Sequence, residues 1–243
     1  MSQLKTEDKA IAVPGEILAE GMDFLPSYGT YREGDNIIST RLGLVQLDNK
    51  VIKILPLSGK YFPKRGDTII GHVTEILSSG WRVELNCAWM SLLGLANGTT
   101  EYIRKGEDLS QYFAIDDYIV AQITNVTKEK LIDLTMKGPG LRRLGAGRII
   151  SVNAHKVPRI IGKSGSMVSM IKNATGCRII VGQNGLIWVQ GEPKEELIAE
   201  NTIKMIEEKA HTSGLTDKVK SHLEKETGKK IQAGDTNVIH KTA

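Results

Sequence analysis

Cysteine is rare in this sequence. The 243 residues contain two cysteines, Cys87 and Cys177, and neither belongs to a Cys-x-x-Cys pair. We therefore expect neither a disulfide framework nor a structural zinc site. The five histidines are scattered without the spacing of metal ligands, so the sequence predicts no bound metal and no cofactor.

Long apolar runs are also missing. No stretch approaches the roughly 18 consecutive apolar residues that a membrane-spanning helix needs, and residues 1–9 lack the apolar core of a signal peptide. A hydrophobic content of 40% and a charged content of 25% are typical of soluble globular proteins. The sequence therefore predicts a cytoplasmic protein without a membrane partner.

Acidic residues are absent from one long segment, residues 134–191, which contains nine lysines and arginines. The formal net charge of the whole chain is only +4, so its acidic residues are concentrated elsewhere. A long segment that contains only positive charges favours a polyanionic partner. A solvated basic surface without a ligand is the alternative, but this segment also carries the apolar residues of a core and a glycine loop.

The glycine loop is Gly162-Lys163-Ser164-Gly165, which lies between two stretches with helical apolar spacing. Glycine at both ends lets the backbone pass close to a phosphodiester chain. Lys163 adds a cation, and the first turn of the following helix adds unpaired N–H groups. We therefore expect this loop, together with Arg159 and Lys172, to bind a nucleic-acid backbone.

Six elements and a turn are predicted around the loop. They are a strand over 148–154, helices over 155–161 and 166–175, a strand over 177–181, an Asn-Gly turn at 183–185, a strand over 186–190 and a helix over 193–210. This order, βααββα, resembles that of type I KH domains, whose Gly-x-x-Gly loop clamps about four nucleotides of single-stranded RNA. The alternative is a small α/β domain in which the loop only connects two helices.

Residues 63–137 have a different pattern, with five short strands and a long connection between the third and the fourth. This pattern is typical of a five-stranded OB barrel. The sequence Gly80-Trp81-x-Val83-x-Leu85 in this stretch resembles the RNA-binding OB domain first named from a small-subunit ribosomal protein. The resemblance implies that Trp81 stacks on a base and that Arg82 supplies a cation.

Other residues of the barrel leave alternatives open. The histidine that this family usually has on the third strand is missing, because Met90 and Ser91 stand there. General strand binding is therefore predicted rather than selective base recognition. Trp89 fits the core and the surface equally well. Lys128 and Lys130, in the last hairpin, are candidate phosphate contacts, although exposed lysines on a turn often serve solubility alone.

The whole chain is predicted to have a multidomain β plus α/β architecture. The predicted segments are residues 1–10, disordered; 11–62, a small N-terminal β domain; 63–137, the OB domain; 138–147, a linker; 148–227, the KH domain with a C-terminal helix; and 228–243, a flexible tail. Hairpins are expected around residues 32–36 and 48–50. The linker is too short for a free tether, so we expect the two RNA-binding units to be held in a fixed relation.

This domain order, with VPGEILAEG at residues 13–21 and KGPG at residues 137–140, resembles the KH-bearing cap subunits of the archaeal RNA exosome. The resemblance implies that three cap subunits sit on a hexameric ring of RNase PH-like subunits and that the N-terminal domain docks on this ring. It also implies a non-catalytic role: the cap binds single-stranded RNA, favours adenine-rich 3′ ends and guides them into the phosphorolytic ring for 3′-to-5′ degradation. No DNA partner is expected. The other type of cap subunit carries a zinc ribbon instead of a KH domain, which the lack of paired cysteines excludes.

Three other functions compete with this one. A hydrolytic nuclease would need clustered acids, but Glu75, Glu84 and Asp133 are predicted to lie singly on strands. A transcription-elongation or translation factor can combine OB and KH modules, but elongation factors of this type usually carry two KH units, and this chain has room for one. The third is a structural clamp that holds the ring together with little RNA contact.

Overall fold

The computed structural model describes residues 3–101, 103–104, 106–210, 212 and 214–228. The chain divides into two units, Met1–Gly59 and Lys60–Ala243. Among the described residues, no helix is long and apolar enough to cross a membrane.

In its described residues, the first unit contains eight strands: β1 (Gln3–Leu4), β2 (Ile11–Ala12), β3 (Ile17–Glu20), β4 (Leu25–Pro26), β5 (Thr30–Glu33), β6 (Asn36–Ser39), β7 (Gly43–Asp48) and β8 (Val51–Pro56). They form two four-stranded sheets with strand orders β1-β3-β6-β5 and β2-β7-β8-β4. Both predicted hairpins, β5–β6 and β7–β8, are confirmed. Gly34 and Asn49 provide positive φ angles at their turns. Alternate strand residues, among them Leu18, Ile37 and Ile52, point inward and form a buried core.

Residues 3–10, which the sequence predicts to be disordered, are instead attached to both sheets. β1 pairs antiparallel with β3. The Lys9 N–H donates to the Val45 carbonyl at 2.8 Å, and the Val45 N–H donates to the Ala10 carbonyl at 2.8 Å. The prediction is therefore wrong for residues 3–10, because pairing at sheet edges satisfies the backbone of a segment with few apolar side chains. Residues 1 and 2 lie outside the described part of the chain.

The second unit begins with a closed barrel. Its strands are β9 (Thr68–Leu77), β10 (Gly80–Glu84), β11 (Ser91–Gly94), β12 (Tyr118–Val126) and β13 (Ile132–Thr135). β13 closes the barrel, because it pairs antiparallel with β12 and parallel with β11. The long third connection holds a one-turn helix, α1 (Leu95–Gly98), and a 3₁₀ turn (Leu109–Gln111). The prediction of a five-stranded OB barrel is confirmed.

The predicted linker, residues 138–147, contains a short strand that joins the barrel sheet. β14 (Arg142–Arg143) pairs antiparallel with β12. The N–H of Leu144 donates to the Tyr118 carbonyl at 2.8 Å, and the Leu144 side chain is buried. The chain therefore leaves the barrel along its surface rather than as a separate connection.

The KH domain follows, with the predicted βααββα order. Its elements are β15 (Arg148–Ser151), a 3₁₀ turn (Ala154–Lys156), α2 (Val157–Ile161), a 3₁₀ turn (Lys163–Gly165), α3 (Ser166–Thr175), β16 (Arg178–Val181), β17 (Leu186–Gln190), α4 (Pro193–Glu208) and α5 (Leu215–Thr227). The sheet has the antiparallel order β15-β17-β16, so the type I KH arrangement is confirmed. α5 packs on α3 and α4, with Val219 and Leu223 in the domain core. Most of the predicted tail, residues 229–243, lies outside the described residues.

The barrel and the KH domain share a buried interface within the second unit. Ile70 of the barrel packs with Leu144 and with Trp188 of the KH sheet. Asn184, at the β16–β17 turn, is fully buried. Its side-chain amide donates to the carbonyl oxygens of Ile70 (2.7 Å) and Leu85 (3.0 Å), and its Oδ1 accepts from the Ile70 N–H (3.2 Å). The expected fixed relation of the two RNA-binding units is confirmed.

Candidate nucleic-acid interface

The glycine loop, residues 162–165, joins α2 to α3 at the surface of the KH domain. The side chains of Lys163 and Ser164 are exposed. Gly162, Ser164 and Gly165 have φ angles of 76°, 52° and 80°. Glycine adopts such angles readily, and a short polar residue tolerates them. The backbone therefore turns sharply while it keeps its polar side chains in solvent.

Glycine is needed at position 162 for a second reason. A Cβ atom there would lie 2.8 Å from the backbone nitrogen of Met167 and 3.0 Å from the Ser166 Oγ. Such contacts would push the first turn of α3 away from the loop. At Gly165 the space around a Cβ is open, so only the backbone angle favours glycine there. The two glycines therefore maintain the shape of the loop.

Groups that are able to bind phosphate flank this loop. Arg159, in the last turn of α2, and Lys163 are both exposed. No side chain caps the first turn of α3, so its N–H groups can donate to phosphate oxygens. Lys172 lies further along α3 and is half-buried, and this burial lowers the pKa of its amine from the usual value. The loop and its flanks can therefore hold a stretch of nucleic-acid backbone.

Trp81 is not available for base stacking. Its side chain is 0% exposed, and its Nε1–H donates to the Phe113 carbonyl at 3.0 Å. A Cβ at Gly98 would lie 2.6 Å from the indole, so the surrounding residues enclose the ring closely. The prediction of a stacking role is wrong, because strand alternation places Trp81 on the inner face of the barrel with Val83 and Leu85.

Arg82 points outward from the same strand, as its position predicts, but it forms an ion pair with Glu75. Cross-strand pairing places Arg82 opposite Leu92, and Leu92 opposite Asp133. Glu84, two residues along the strand from Arg82, is exposed. The outer face of β9, β10, β11 and β13 therefore carries three carboxylates near one arginine.

Lys128 and Lys130 lie in the hairpin between β12 and β13. Lys128 is exposed, and the Lys130 Nζ lies 4.7 Å from the centre of the Phe62 ring. The Phe62 ring in turn meets Trp89 edge-on, with ring centres 5.0 Å apart and an interplanar angle of 79°. Sequence reasoning missed Phe62. The available signal was the run Lys-Tyr-Phe-Pro-Lys-Arg at residues 60–65, in which basic residues surround two aromatic ones.

A second Gly-x-x-Gly sequence, at residues 182–185, has the opposite character. It contains Asn184 and is the turn that packs against the barrel. A Cβ at Gly182 would lie 2.8 Å from the Ile70 nitrogen, and one at Gly185 would lie 2.3 Å from the Val152 oxygen. This turn is therefore a structural contact, and the exposed loop at residues 162–165 is the one that can reach a ligand.

The acidic, histidine and cysteine side chains form no metal-binding cluster in the described part of the chain. No three His, Cys, Asp or Glu side chains in it lie close enough together to hold a metal ion. The fold and the exposed loop thus define the class of this protein: an RNA-binding protein that combines an S1-type OB barrel with a KH domain.

Comparison with known proteins gives the family. The model for the exosome complex exonuclease RRP4 N-terminal region matches residues 11–48, the RRP4 S1 domain model matches residues 60–125, and the KH domain model matches residues 147–208. The exosome complex component Rrp4 of Methanothermobacter thermautotrophicus is 41% identical over 225 residues, which cover 93% of this chain and 71% of that protein. The exosome complex component Rrp4 of Picrophilus torridus is 43% identical over 223 residues, which cover 91% of this chain and 95% of that protein.

A solved structure agrees with these relatives. The crystal structure of a protein described as exosome complex RNA-binding has a TM-score of 0.64 and 32% identity, and the match covers 69% of this chain and 97% of that one. The chain belongs to the Rrp4 family of exosome complex components. The resemblance to the KH-bearing cap subunits is thereby confirmed.

Proposed function

We propose that this protein is a non-catalytic cap subunit of an archaeal exosome in the cytoplasm. It binds single-stranded RNA, favours adenine-rich 3′ ends and guides them into a phosphorolytic ring of RNase PH-like subunits. One observation carries the RNA-binding part: an exposed Gly-x-x-Gly loop with Lys163 lies inside a segment of 58 residues, 134–191, that has no acidic residue. The names of the relatives support membership of an exosome complex.

Salt dependence tests the RNA-binding part. A KH loop engages about four nucleotides, and each neutralised phosphate releases condensed counterions. We expect the logarithm of the association constant for a fluorescent oligoadenylate to fall with the logarithm of salt concentration with a slope of about −3. Fluorescence anisotropy of the purified protein measures it, and an oligouridylate of equal length tests the adenine preference. A flat response to salt would contradict electrostatic capture.

The lack of catalytic activity is tested on the same sample. The purified chain is proposed to leave RNA intact, both with magnesium and with inorganic phosphate, and degradation is proposed to require the ring subunits. Cleavage by the chain alone would instead favour the nuclease alternative.

An apolar surface supports docking of the N-terminal unit on a protein. Of the large hydrophobic side chains exposed in the described residues, ten belong to the first 59 residues and five to the rest. Cross-strand pairing aligns Ile11, Leu44 and Leu55 on one outward face. Leu42 and Leu57 continue this face at the end of the same hairpin. An apolar surface of this kind is typical of protein interfaces, and we propose the ring as its partner.

Removing one anchor from this surface is expected to weaken assembly. Leu55 is 47% exposed and lies outside the buried core of the unit, so Leu55→Ser leaves that core intact but removes apolar area at the interface. We expect affinity for the reconstituted ring to fall about tenfold, the effect of a moderate interface anchor. Leu197→Ser is the matched control, because Leu197 is 49% exposed on α4 of the KH domain. Equal ring affinities of both variants, measured by biolayer interferometry, would disprove the assignment.

A further inference from the structure

We infer that one end of the OB barrel is a second RNA site, at which a nucleobase stacks on the aromatic pair Phe62 and Trp89. Three loops meet at this end of the barrel: residues 60–66, 85–90 and 127–131. We call this end of the barrel the loop end. The inference rests on the proposed function and adds a site whose aromatic residues the sequence analysis did not assign to RNA binding.

The aromatic pair is held on the barrel but is not enclosed by it. Trp89 packs against the barrel core, and both rings are half-buried, so each retains surface in contact with solvent. The Cys87 thiol donates to the Trp89 carbonyl at 3.4 Å, which helps to fix the loop that carries the indole. The other two tryptophans, Trp81 and Trp188, are 0% and 4% exposed. Trp89 is therefore the tryptophan that a base can reach.

Positive charge surrounds this pair. The three loops contain five cations and a single acidic residue, Glu129. Four of the cations are exposed, and the fifth, Lys130, lies over the Phe62 ring; the five are Lys60, Lys64, Arg65, Lys128 and Lys130. Exposed aromatic rings within a cationic groove are the combination that binds single strands without demanding a sequence.

The usual nucleic-acid face of an OB barrel is unsuitable here. That face is formed by the second and third strands, which are β10 and β11 in this chain. Glu84 lies on β10 itself, and the neighbouring strands β9 and β13 add Glu75 and Asp133. Arg82 is already paired with Glu75. A polyanion is repelled by this face and attracted by the loop end. The opposite signs of the two surfaces favour the loop end as the RNA contact of the barrel.

Intrinsic tryptophan fluorescence tests the inference on the full chain. Stacking of adenine on Trp89 is expected to quench its emission on titration with a short oligoadenylate. Trp89→Phe should remove the quenching, whereas Trp188→Phe, which changes a buried indole, should retain it. Trp89→Leu should weaken binding about tenfold, the effect of losing one stacked base. Circular dichroism and thermal unfolding establish that each variant is folded.

A second variant does not disturb the core. Lys128→Gln with Lys130→Asn removes two cations, and asparagine tolerates the φ of 65° at position 130. It should reduce the magnitude of the salt slope by about one. If the wild-type chain binds RNA without quenching of Trp89 and with an unchanged slope in the lysine variant, the loop end is not an RNA site, although the proposed function stands. If the wild-type chain binds no RNA at all, the proposed function itself fails.

Discussion

Replacing Lys163 and Ser164 together by aspartate is expected to weaken binding of single-stranded RNA about hundredfold. The change removes the loop's cation and places two carboxylates where phosphates would lie, and like charges in contact cost several kcal/mol. About 2.7 kcal/mol corresponds to a factor of about 100. The loop should keep its shape, because both glycines remain and aspartate tolerates the φ of 52° at position 164.

The matched control changes the same amount of charge elsewhere. Lys194→Asp with Asn201→Asp alters two exposed residues on α4, seven positions apart and therefore on the same side of the helix. Fluorescence anisotropy at one fixed salt concentration compares both double variants with the wild type. If the loop variant lost no more affinity than the control, the KH loop would have no role in RNA binding.

Asn184→Ala is expected to lower the free energy of unfolding by about 3–5 kcal/mol, since it leaves several buried polar groups without partners. The amide bridges the KH turn to the barrel through three hydrogen bonds, one from the Ile70 N–H and two to the carbonyl oxygens of Ile70 and Leu85. Asn184 is 0% exposed, so the backbone groups that it pairs are shielded from bulk solvent. Urea unfolding measures the loss.

Gln183→Ala provides the control for this variant. Gln183 is exposed, and the hydrogen bond that it makes to the Thr68 carbonyl at 2.9 Å comes from its backbone N–H, which alanine retains. We expect its effect to stay within about 0.5 kcal/mol. Similar urea unfolding midpoints for Asn184→Ala and Gln183→Ala would mean that the interface does not depend on the buried amide.

The KH domain was the most predictable part of the chain. Glycines at positions 162 and 165 interrupt a helical apolar pattern, and an Asn-Gly turn separates two strands. These signals depend on neighbouring residues only, so the element order could be read directly from the sequence. The structure begins β17 at Leu186 and ends α5 at Thr227, as predicted.

For Trp81, the resemblance to RNA-binding OB domains led to a wrong prediction of base stacking. The alternation of Trp81, Val83 and Leu85 already placed the indole on the inner face, but the family comparison suggested an exposed aromatic there. Burial is decided by strand alternation around a closed barrel. The prediction of disorder for residues 3–10 failed for another reason. These residues pair with strands that lie elsewhere in the chain, and such pairing leaves no signature in the local sequence.

The sequence by itself determined the order of the modules, the position of the glycine loop between two helices and the basic character of residues 134–191, because each of these depends on local composition and spacing. The tertiary structure alone decided which of two Gly-x-x-Gly sequences faces solvent and which aromatic side chains lie beside cations. The hydrogen bonds of Asn184 to Ile70 join residues 114 positions apart, and Phe62, Trp89 and Lys130 come from three separate loops. Such contacts arise only when the chain closes the barrel and packs the KH sheet against it.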